Sequence, residues 1–464
     1  MSSLISSTST TSPAADGPRR VHLVSLGCPK NRVDSELMVG QLQRDGWDLT
    51  GDPAAADLLI VNTCAFIEES KTESIDAILG LADYKSARPG SRLVVAGCLA
   101  QRHADQLALE LPEVDAFVGT GEYDQLTRRL GLDGGVPTLL HGERKGRPEY
   151  LAEHLEPRYT APATSSAYLK IAEGCDQACS FCIIPKLRGT QRSRTVEDCV
   201  AEARALVERG VLEVNLVAQD LTHYGLDIGE PRALTRLVRE LGRVDGLRWV
   251  RMMYAYPDNF GDDLVDAIAE TDNCCKYLDM PLQHASDAVL ASMKRRTNRA
   301  DIEALLGRLR QRVPGIVLRT TMLVGHPGET DADFAQLLDF VKTWRFEHLG
   351  CFAYSREDGT LSGRMAGQVP TAVKKTRRDR ITRAQQKISE RILLDTVGKT
   401  LPVLVEGISE ETELLLQGRT QGQAPDIDGV VYINDAPADI GRGQIRLVRM
   451  TQAGAHDLVG EVVA

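Results

Sequence analysis

The sequence predicts an α/β protein in three parts: a doubly wound parallel sheet at the amino end, a partial (β/α)6 barrel in the middle, and a small antiparallel, OB-like β-barrel at the carboxyl end. Three observations predict it. Up to about residue 133, β-branched runs alternate with helical patterns; from about residue 161 a second alternation passes through six strand–helix repeats; and over the last 65 residues the period changes to short alternating strands.

In the first part the strand candidates are VHLVSL, DLLIVN, RLVVAG and AFVGTG, with helical segments between them, the pattern of parallel strands joined by crossovers. A Ser/Thr/Ala-rich start, residues 1–18, has neither a cationic head nor a continuous apolar stretch and reads as a disordered tail, not a signal peptide. Residues 134–160 are rich in Gly, Pro and charge, without periodicity, and read as a linker between a first domain over 19–133 and a core over 161–393.

The core offers strands at AYLKIAE, VLEVNLVA, LRWVRMMYAY, KYLDMPLQ, IVLRTTMLVG and HLGCFAYS, with amphipathic helices such as VEDCVAEARALVERG between them. Six such units predict a partial barrel of parallel strands whose functional residues sit on loops at the strands' carboxyl ends. A basic run from Thr371 to Lys399, with nine Lys or Arg against three acids, reads as one long helix leading out. The third part, 394–464, carries five short strands, from LPVLVEGI to HDLVGEVV, which close most naturally into a small barrel.

Charge narrows the partner. The net charge is −10, and from Thr400 to Ala464 ten acids face four bases. An acidic terminal module repels nucleic-acid phosphates, so a basic protein is the expected partner. No apolar run approaches the roughly 18 residues of a membrane span. With ten cysteines and no export signal, the chain reads as cytoplasmic, where clustered thiols bind metal more often than they form disulfides.

Cys175, Cys179 and Cys182 form C-x3-C-x2-C just after the strand AYLKIAEG. A cubane iron–sulfur cluster takes four thiolates; three leave one iron open to chelate a small molecule. The competing reading, structural zinc, needs a fourth ligand, and the nearest histidines, His154 and His223, are distant in sequence.

Cys28, Cys64 and Cys98 each close a strand: VSLG-Cys28, IVNT-Cys64, VVAG-Cys98. Parallel strands end on one edge, so three thiols can converge there on a second cluster with its own open iron. A buried free cysteine is the bland reading for any one of them. Cys199 lies in a helical pattern, Cys351 lies in a strand, and Cys274-Cys275 are sequence neighbours that cannot easily share a cluster, so all four read as structural.

The first cysteine run, with Phe181 as the aromatic residue before its third cysteine, resembles the signature of the radical S-adenosylmethionine superfamily. The resemblance implies a 4Fe-4S cluster whose open iron binds S-adenosylmethionine and yields a 5′-deoxyadenosyl radical. Gly325 and Gly328 in TMLVGHPGET are similar to the superfamily's glycine motif near the adenine. Gln219 and Asp220 stand where relatives often carry glycine-glycine-glutamate for the cofactor's ammonium; here the run is Val-Ala-Gln-Asp. Arg319 matches a cofactor carboxylate bidentately, with a barrel-interior salt bridge as its competing use. Tyr224 and His284 are candidates for substrate contact, with core packing as the alternative.

Over nearly the whole chain the sequence resembles the methylthiotransferase family, and most closely its ribosomal-protein branch. The residues that carry this are SLGCPKN at Ser25–Asn31 with Val33-Asp34-Ser35-Glu36, GCDQACSFCIIPKLRGTQRSR, VAQDLTHYG, YLDMPLQHAS and FAYSREDGT. The terminal module resembles a TRAM domain. The resemblance implies two 4Fe-4S clusters and methylthiolation of the β-carbon of an aspartate in small-subunit ribosomal protein S twelve. The radical removes a hydrogen there, and sulfur arrives from the open iron of the amino-terminal cluster. An electron donor and a sulfur source are implied as further partners, with the acidic module docking the basic protein. The alternative is the same chemistry on isopentenyladenosine in tRNA.

Overall fold

The structure, a computed structural model, describes residues 19–132 and 148–463 apart from 125, 149, 410, 435 and 438. The expected tail, 1–18, and the first part of the expected linker, 134–147, lie outside the described residues.

The first sheet is parallel, in the order β2-β1-β3-β4-β5, from β1 (Arg19–Ser25), β2 (Trp47–Leu49), β3 (Leu58–Thr63), β4 (Arg92–Gly97) and β5 (Ala116–Val118). All six residues of β3 are buried, as a central strand covered on both faces requires of its apolar run. Met38 and Leu42 of the helix Pro29–Arg44 pack one face against Val21, Ile60 and Val94. Ile78, Leu81, Leu99 and Leu107, from the helices Glu68–Ala87 and Cys98–Glu110, pack the other against Leu59, Val61 and Val95. The sequence reading missed β2: it is three residues long, only Trp47 is buried, and so short a run has no legible period. β2 matters because it makes the strand order reverse between β1 and β3, the switch point where such sheets open a ligand crevice.

The central sheet is six-stranded and parallel, in chain order but for one small excursion. β6 (Ser166–Lys170) is followed by the two-residue strands β7 (Ala172–Glu173) and β8 (Arg192–Ser193), which pair antiparallel with each other. Then β9 (Glu213–Val217), β10 (Trp249–Met252), β11 (Cys274–Asp279), β12 (Val317–Val324) and β13 (His348–Ala353) complete the open order β6-β9-β10-β11-β12-β13. Residues such as Leu169, Leu216, Val250 and Leu318 face the helices and form the largest core. On the opposite, inner face, Tyr168, Trp249, Cys275 and Tyr277 meet Val33 and Leu37 of the first domain and Leu404 of the last. The neighbouring domains therefore supply the filling that an unclosed barrel lacks.

The described part of the expected linker is packed rather than free. Buried Arg158 pairs with Glu36 and Glu202, and a Cβ at Gly40 would lie 2.4 Å from Pro157 O. The long helix runs over Thr371–Leu394 and leads into a closed barrel, β14-β15-β16-β18-β17, made of β14 (Thr400–Ile408), β15 (Leu416–Arg419), β16 (Val431–Asn434), β17 (Ile445–Ala453) and β18 (Leu458–Val462). Among the described residues no helix is long and apolar enough to cross a membrane.

Candidate functional site

The three amino-terminal cysteines share one edge. Cys28 caps the helix Pro29–Arg44, Cys64 follows β3, and Cys98 opens the helix Cys98–Glu110. Their loops are pinned to one another. Asn31 Nδ2 donates to Leu26 O (2.8 Å) and Thr63 O (2.9 Å), tying the first loop to the second. Thr63 Oγ1 donates to Ala96 O (2.6 Å) and accepts from Leu99 N (3.2 Å), tying the second to the third. Ser74 Oγ bonds both the N–H and the carbonyl of Cys64 at 3.0 Å.

Gly27 (φ +88°) and Gly97 (φ +94°) make the turn into their cysteines in the left-handed region. A Cβ on Gly27 would sit 2.9 Å from Cys64 Cβ, and one on Gly97 would sit 2.4 Å from Asn62 Oδ1. Close approach of the loops thus depends on both glycines.

The electrostatics suit thiolates. Burial raises the Cys28 thiol, but Lys30, Arg188 and the N–H groups of Asn31 and Lys30 outweigh it and hold Cys28 below the ordinary value. Burial pushes Cys98 up to about 12, with the Cys64 and Cys28 charges adding and Arg188 opposing; burial likewise raises Cys64. Thiols that feel one another this way need a bound cation to ionise together, which a metal centre provides.

The core triad sits on a loop closed at its base by the β7–β8 ladder, between Glu173 and Arg192. Cys182 N donates to Cys179 O (3.1 Å), and Gln177 N reaches Cys175 Sγ at 3.4 Å. Ser180, between the cysteines, is held from two sides: its N–H donates to Met293 O (2.9 Å), and its carbonyl accepts from Ser362 N (2.8 Å). Burial raises Cys175 to about 12 and raises Cys182 further. Three thiols on one loop, where burial disfavours the thiolates of Cys175 and Cys182 unless a metal neutralises them, fit a three-thiolate iron–sulfur cluster. Phe181 is half-buried on this loop.

Gln219 ends its strand on the inner face, where Nε2 donates to Glu173 Oε1 (2.7 Å) while its buried Oε1 has no partner. That orphaned acceptor suits a ligand ammonium. Asp220 instead joins Gln177 (3.0 Å) and His223.

Arg319 is spent elsewhere. It is the third residue of β12, bonds Asp279 Oδ1 (2.9 Å) and reaches Asp428 of the last barrel (3.4 Å). It opens onto a cleft of about 710 Å³ with His348 and Gly422, not onto the cysteine loop. The interior salt bridge is the use that the fold makes of it.

Gly325 (φ +78°) has its Cβ direction filled by Lys374 Cγ, at 2.3 Å. The close approach there is by the long helix, while Glu329 accepts from the N–H groups of Gly325 and His326. Gly328 has open space at its Cβ. His284 is fully buried, and desolvation lowers it to about 3. Tyr224 is buried, with its hydroxyl on Cys199 Sγ at 3.7 Å. Both belong to the core.

Sequence reasoning missed the charges between the triads. Arg188 Nη1 bonds Asp34 Oδ2 (3.0 Å) and Glu173 Oε2 (2.9 Å), and Nη2 bonds Asn31 Oδ1 (2.7 Å). Lys170 bonds the same two carboxylates. It also missed Arg295, which stacks on Tyr256 at 3.7 Å and reaches Cys179 Sγ at 3.7 Å. The quoted motifs contained Asp34, Glu173 and Arg188, but no spacing tells that they meet.

Comparison with known proteins agrees with this geometry. Residues 20–119 match the uncharacterized protein family UPF0004, residues 169–341 the radical SAM superfamily, and residues 397–463 the TRAM domain. The chain is 53% identical over 445 residues to the ribosomal protein uS12 methylthiotransferase RimO of Anaeromyxobacter sp. (strain K), covering 96% of this chain and 93% of the relative. It is 47% identical to the protein of the same description from Geobacter sulfurreducens, covering 97% and 100%. Among solved structures, the radical S-adenosylmethionine methyltransferase TsrM from Kitasatospora setae aligns with a TM-score of 0.57 at 17% identity, over 75% of this chain and 77% of that one. The cobalamin-dependent radical enzyme OxsB aligns with a TM-score of 0.51 at 13% identity, over 80% and 58%. These two likenesses show the fold alone. With identities near one half across almost the full length of both chains, the protein belongs to the RimO family of radical S-adenosylmethionine methylthiotransferases.

Proposed function

We propose that this protein methylthiolates the β-carbon of an aspartate in ribosomal protein uS12, using two 4Fe-4S clusters and S-adenosylmethionine. The observation that carries the reading is a buried charge network in which Arg188, six residues after Cys182, bonds Asp34 of the first domain and Glu173, two residues before Cys175, in a chain whose relatives are described as uS12 methylthiotransferases. Cys175, Cys179 and Cys182 hold one cluster, and Cys28, Cys64 and Cys98 the other. When bound, the first cluster with S-adenosylmethionine supplies a carbon radical able to take hydrogen from an unactivated carbon, and the second supplies a place to present sulfur.

The chain's own residues position and enclose. The loop from Cys182 to Arg188 is mostly the short helix Ile184–Arg188, so at 1.5 Å per helical residue only about 10 Å of chain separates one triad from the residue that bonds Asp34 and Asn31 of the first domain. Gln219 offers a free acceptor toward a cofactor ammonium, and Arg295 a guanidinium beside Cys179. Cys98 and Cys175 are buried and the other four cysteines half-buried, which limits the water that could reach a reactive radical. The net acidity of the terminal barrel favours a basic protein over an RNA as the macromolecule that docks there. An electron donor and a sulfur source complete the reaction.

The test is anaerobic reconstitution with iron, sulfide and reductant, followed by incubation with S-adenosylmethionine and either uS12 or isopentenyladenosine-containing tRNA. Tandem mass spectrometry should find a methylthio group on one aspartate of uS12. Product on the tRNA with none on uS12 would overturn the reading.

A further inference from the structure

Arg188 is 1% exposed, although it ends a five-residue helix that leaves the first cluster's loop. It reaches out of the core domain into the first domain, where it bonds Asp34 and Asn31, and Asn31 in turn ties together the loops that carry Cys28 and Cys64. On its own side it bonds Glu173, two residues before Cys175. One guanidinium therefore touches the surroundings of both triads.

The charges around it are unequal. Lys30, Lys170 and Arg188 are buried cations; Asp34 and Glu173 are the buried anions that Lys170 and Arg188 meet. Lys30 lies over the Tyr254 ring at 3.4 Å instead of pairing with a carboxylate. One positive charge is left over. An oxidised 4Fe-4S core on three thiolates carries one net negative charge, so the excess suits a cluster on Cys28, Cys64 and Cys98. Uncompensated buried charge is costly, and this arrangement keeps its balance only with an anion at the triad.

We propose that Arg188 is the positioning residue of the amino-terminal cluster, holding a buried positive charge from the core's radical-generating loop beside the loops of Cys28 and Cys64 so that it raises that cluster's reduction potential and ties its seating to the packing of the two domains. The inference rests on the assignment of a second cluster to Cys28, Cys64 and Cys98. Reduction adds negative charge at low dielectric, where a fixed cation stabilises the reduced form. Lysine at this position keeps the charge but lacks the planar fork that spans two carboxylates and an amide.

Full-length wild type, R188K and R188Q, all reconstituted anaerobically, are compared by iron and sulfide per chain, by redox titration followed with electron paramagnetic resonance, and by reductive cleavage of S-adenosylmethionine. The C64A variant identifies the signal of the first cluster. The expected result is a lower potential for the amino-terminal cluster in R188Q, an intermediate one in R188K, and an unmoved first-cluster potential. Loss of the amino-terminal cluster alone in R188Q, with a lowered potential or the same selective loss in R188K, supports the same role. Unchanged potentials with both clusters present, in either variant, would overturn it; so would joint loss of both clusters in R188K and R188Q, which marks a packing role. If wild type itself holds one cluster, the two-cluster assignment fails instead.

Discussion

At the scale of single residues, the proposed chemistry lies in six thiols and in the small residues that bring them together. Cys179 is central to the core triad, so Cys179→Ala should bring S-adenosylmethionine cleavage, read as 5′-deoxyadenosine, down to background. Cys64→Ala should leave that cleavage intact and stop methylthiolation. Product made at the normal rate by Cys64→Ala would mean the second triad has no part in sulfur transfer. Gly97→Ala adds a Cβ 2.4 Å from Asn62 Oδ1 in a left-handed turn, at a conformational cost of about 1–2 kcal/mol before any clash. It should lower bound iron by about half, with the core cluster retained; full iron loading would show that the loops tolerate the shift. The cysteines were legible because their spacing and strand-end placement are local facts. Arg188, Lys170 and Arg295 were not, because a buried cation in a sequence looks the same as an exposed one until its partners are in place.

Among the elements, the legible ones carry their signal along the chain. The helix Asp331–Trp344 starts with a capping box: Thr330 accepts from Asp333 N (3.2 Å), and Asp333 accepts from Thr330 N (2.9 Å). Thr330→Ala should cost about 1 kcal/mol in thermal or urea unfolding. Because Thr330 follows the Gly325–Glu329 turn directly, affinity for S-adenosylmethionine in the same variant reports whether this turn is part of the cofactor site. The strands β3 and β4 announce themselves as apolar runs, and the five strands of the last barrel as short alternating ones. By contrast, β7 and β8 are two residues each and exist only by pairing with one another. No window of sequence reveals such a ladder, although it closes the loop that holds the core cysteines.

Across the whole molecule, the three domains are joined by buried ions. Arg419 of β15 bonds Glu213 of β9 at 2.5 Å, and Arg251 of β10 bonds the same carboxylate at 2.9 Å, all with side chains at most 2% exposed. Burial raises Glu213, but Arg419 and Arg251 prevail and hold it at about 2, against 4.5 for an ordinary glutamate. A carboxylate depressed on folding stabilises the fold fully above about 4.5, and that contribution is lost as pH falls toward 2. Removing one partner of a buried pair costs roughly 3–5 kcal/mol. Glu213→Gln should therefore destabilise the metal-free protein by that order at neutral pH, and should flatten the acid part of its stability profile. An unchanged urea midpoint would show that the barrel is not held by this pair. The terminal barrel thus anchors itself inward through Arg419, whose partner Glu213 belongs to the core domain.

Composition, periodicity and motif spacing determined by themselves the fold class and the strand edges that carry the cysteines, and the resemblance of the quoted motifs pointed to the family, because each is written in residues close together along the chain. Tertiary structure alone decided which charges meet. It drew Arg188, Asp34 and Glu173 into one network between the triads, and it assigned Arg319 to Asp279 and Asp428 instead of to a cofactor. The physical reason is that a charge takes its meaning from its surroundings. Desolvation and partner distance are set in part by segments far apart along the chain, Arg188 with Asp34 and Arg319 with Asp428, and only folding brings those segments together.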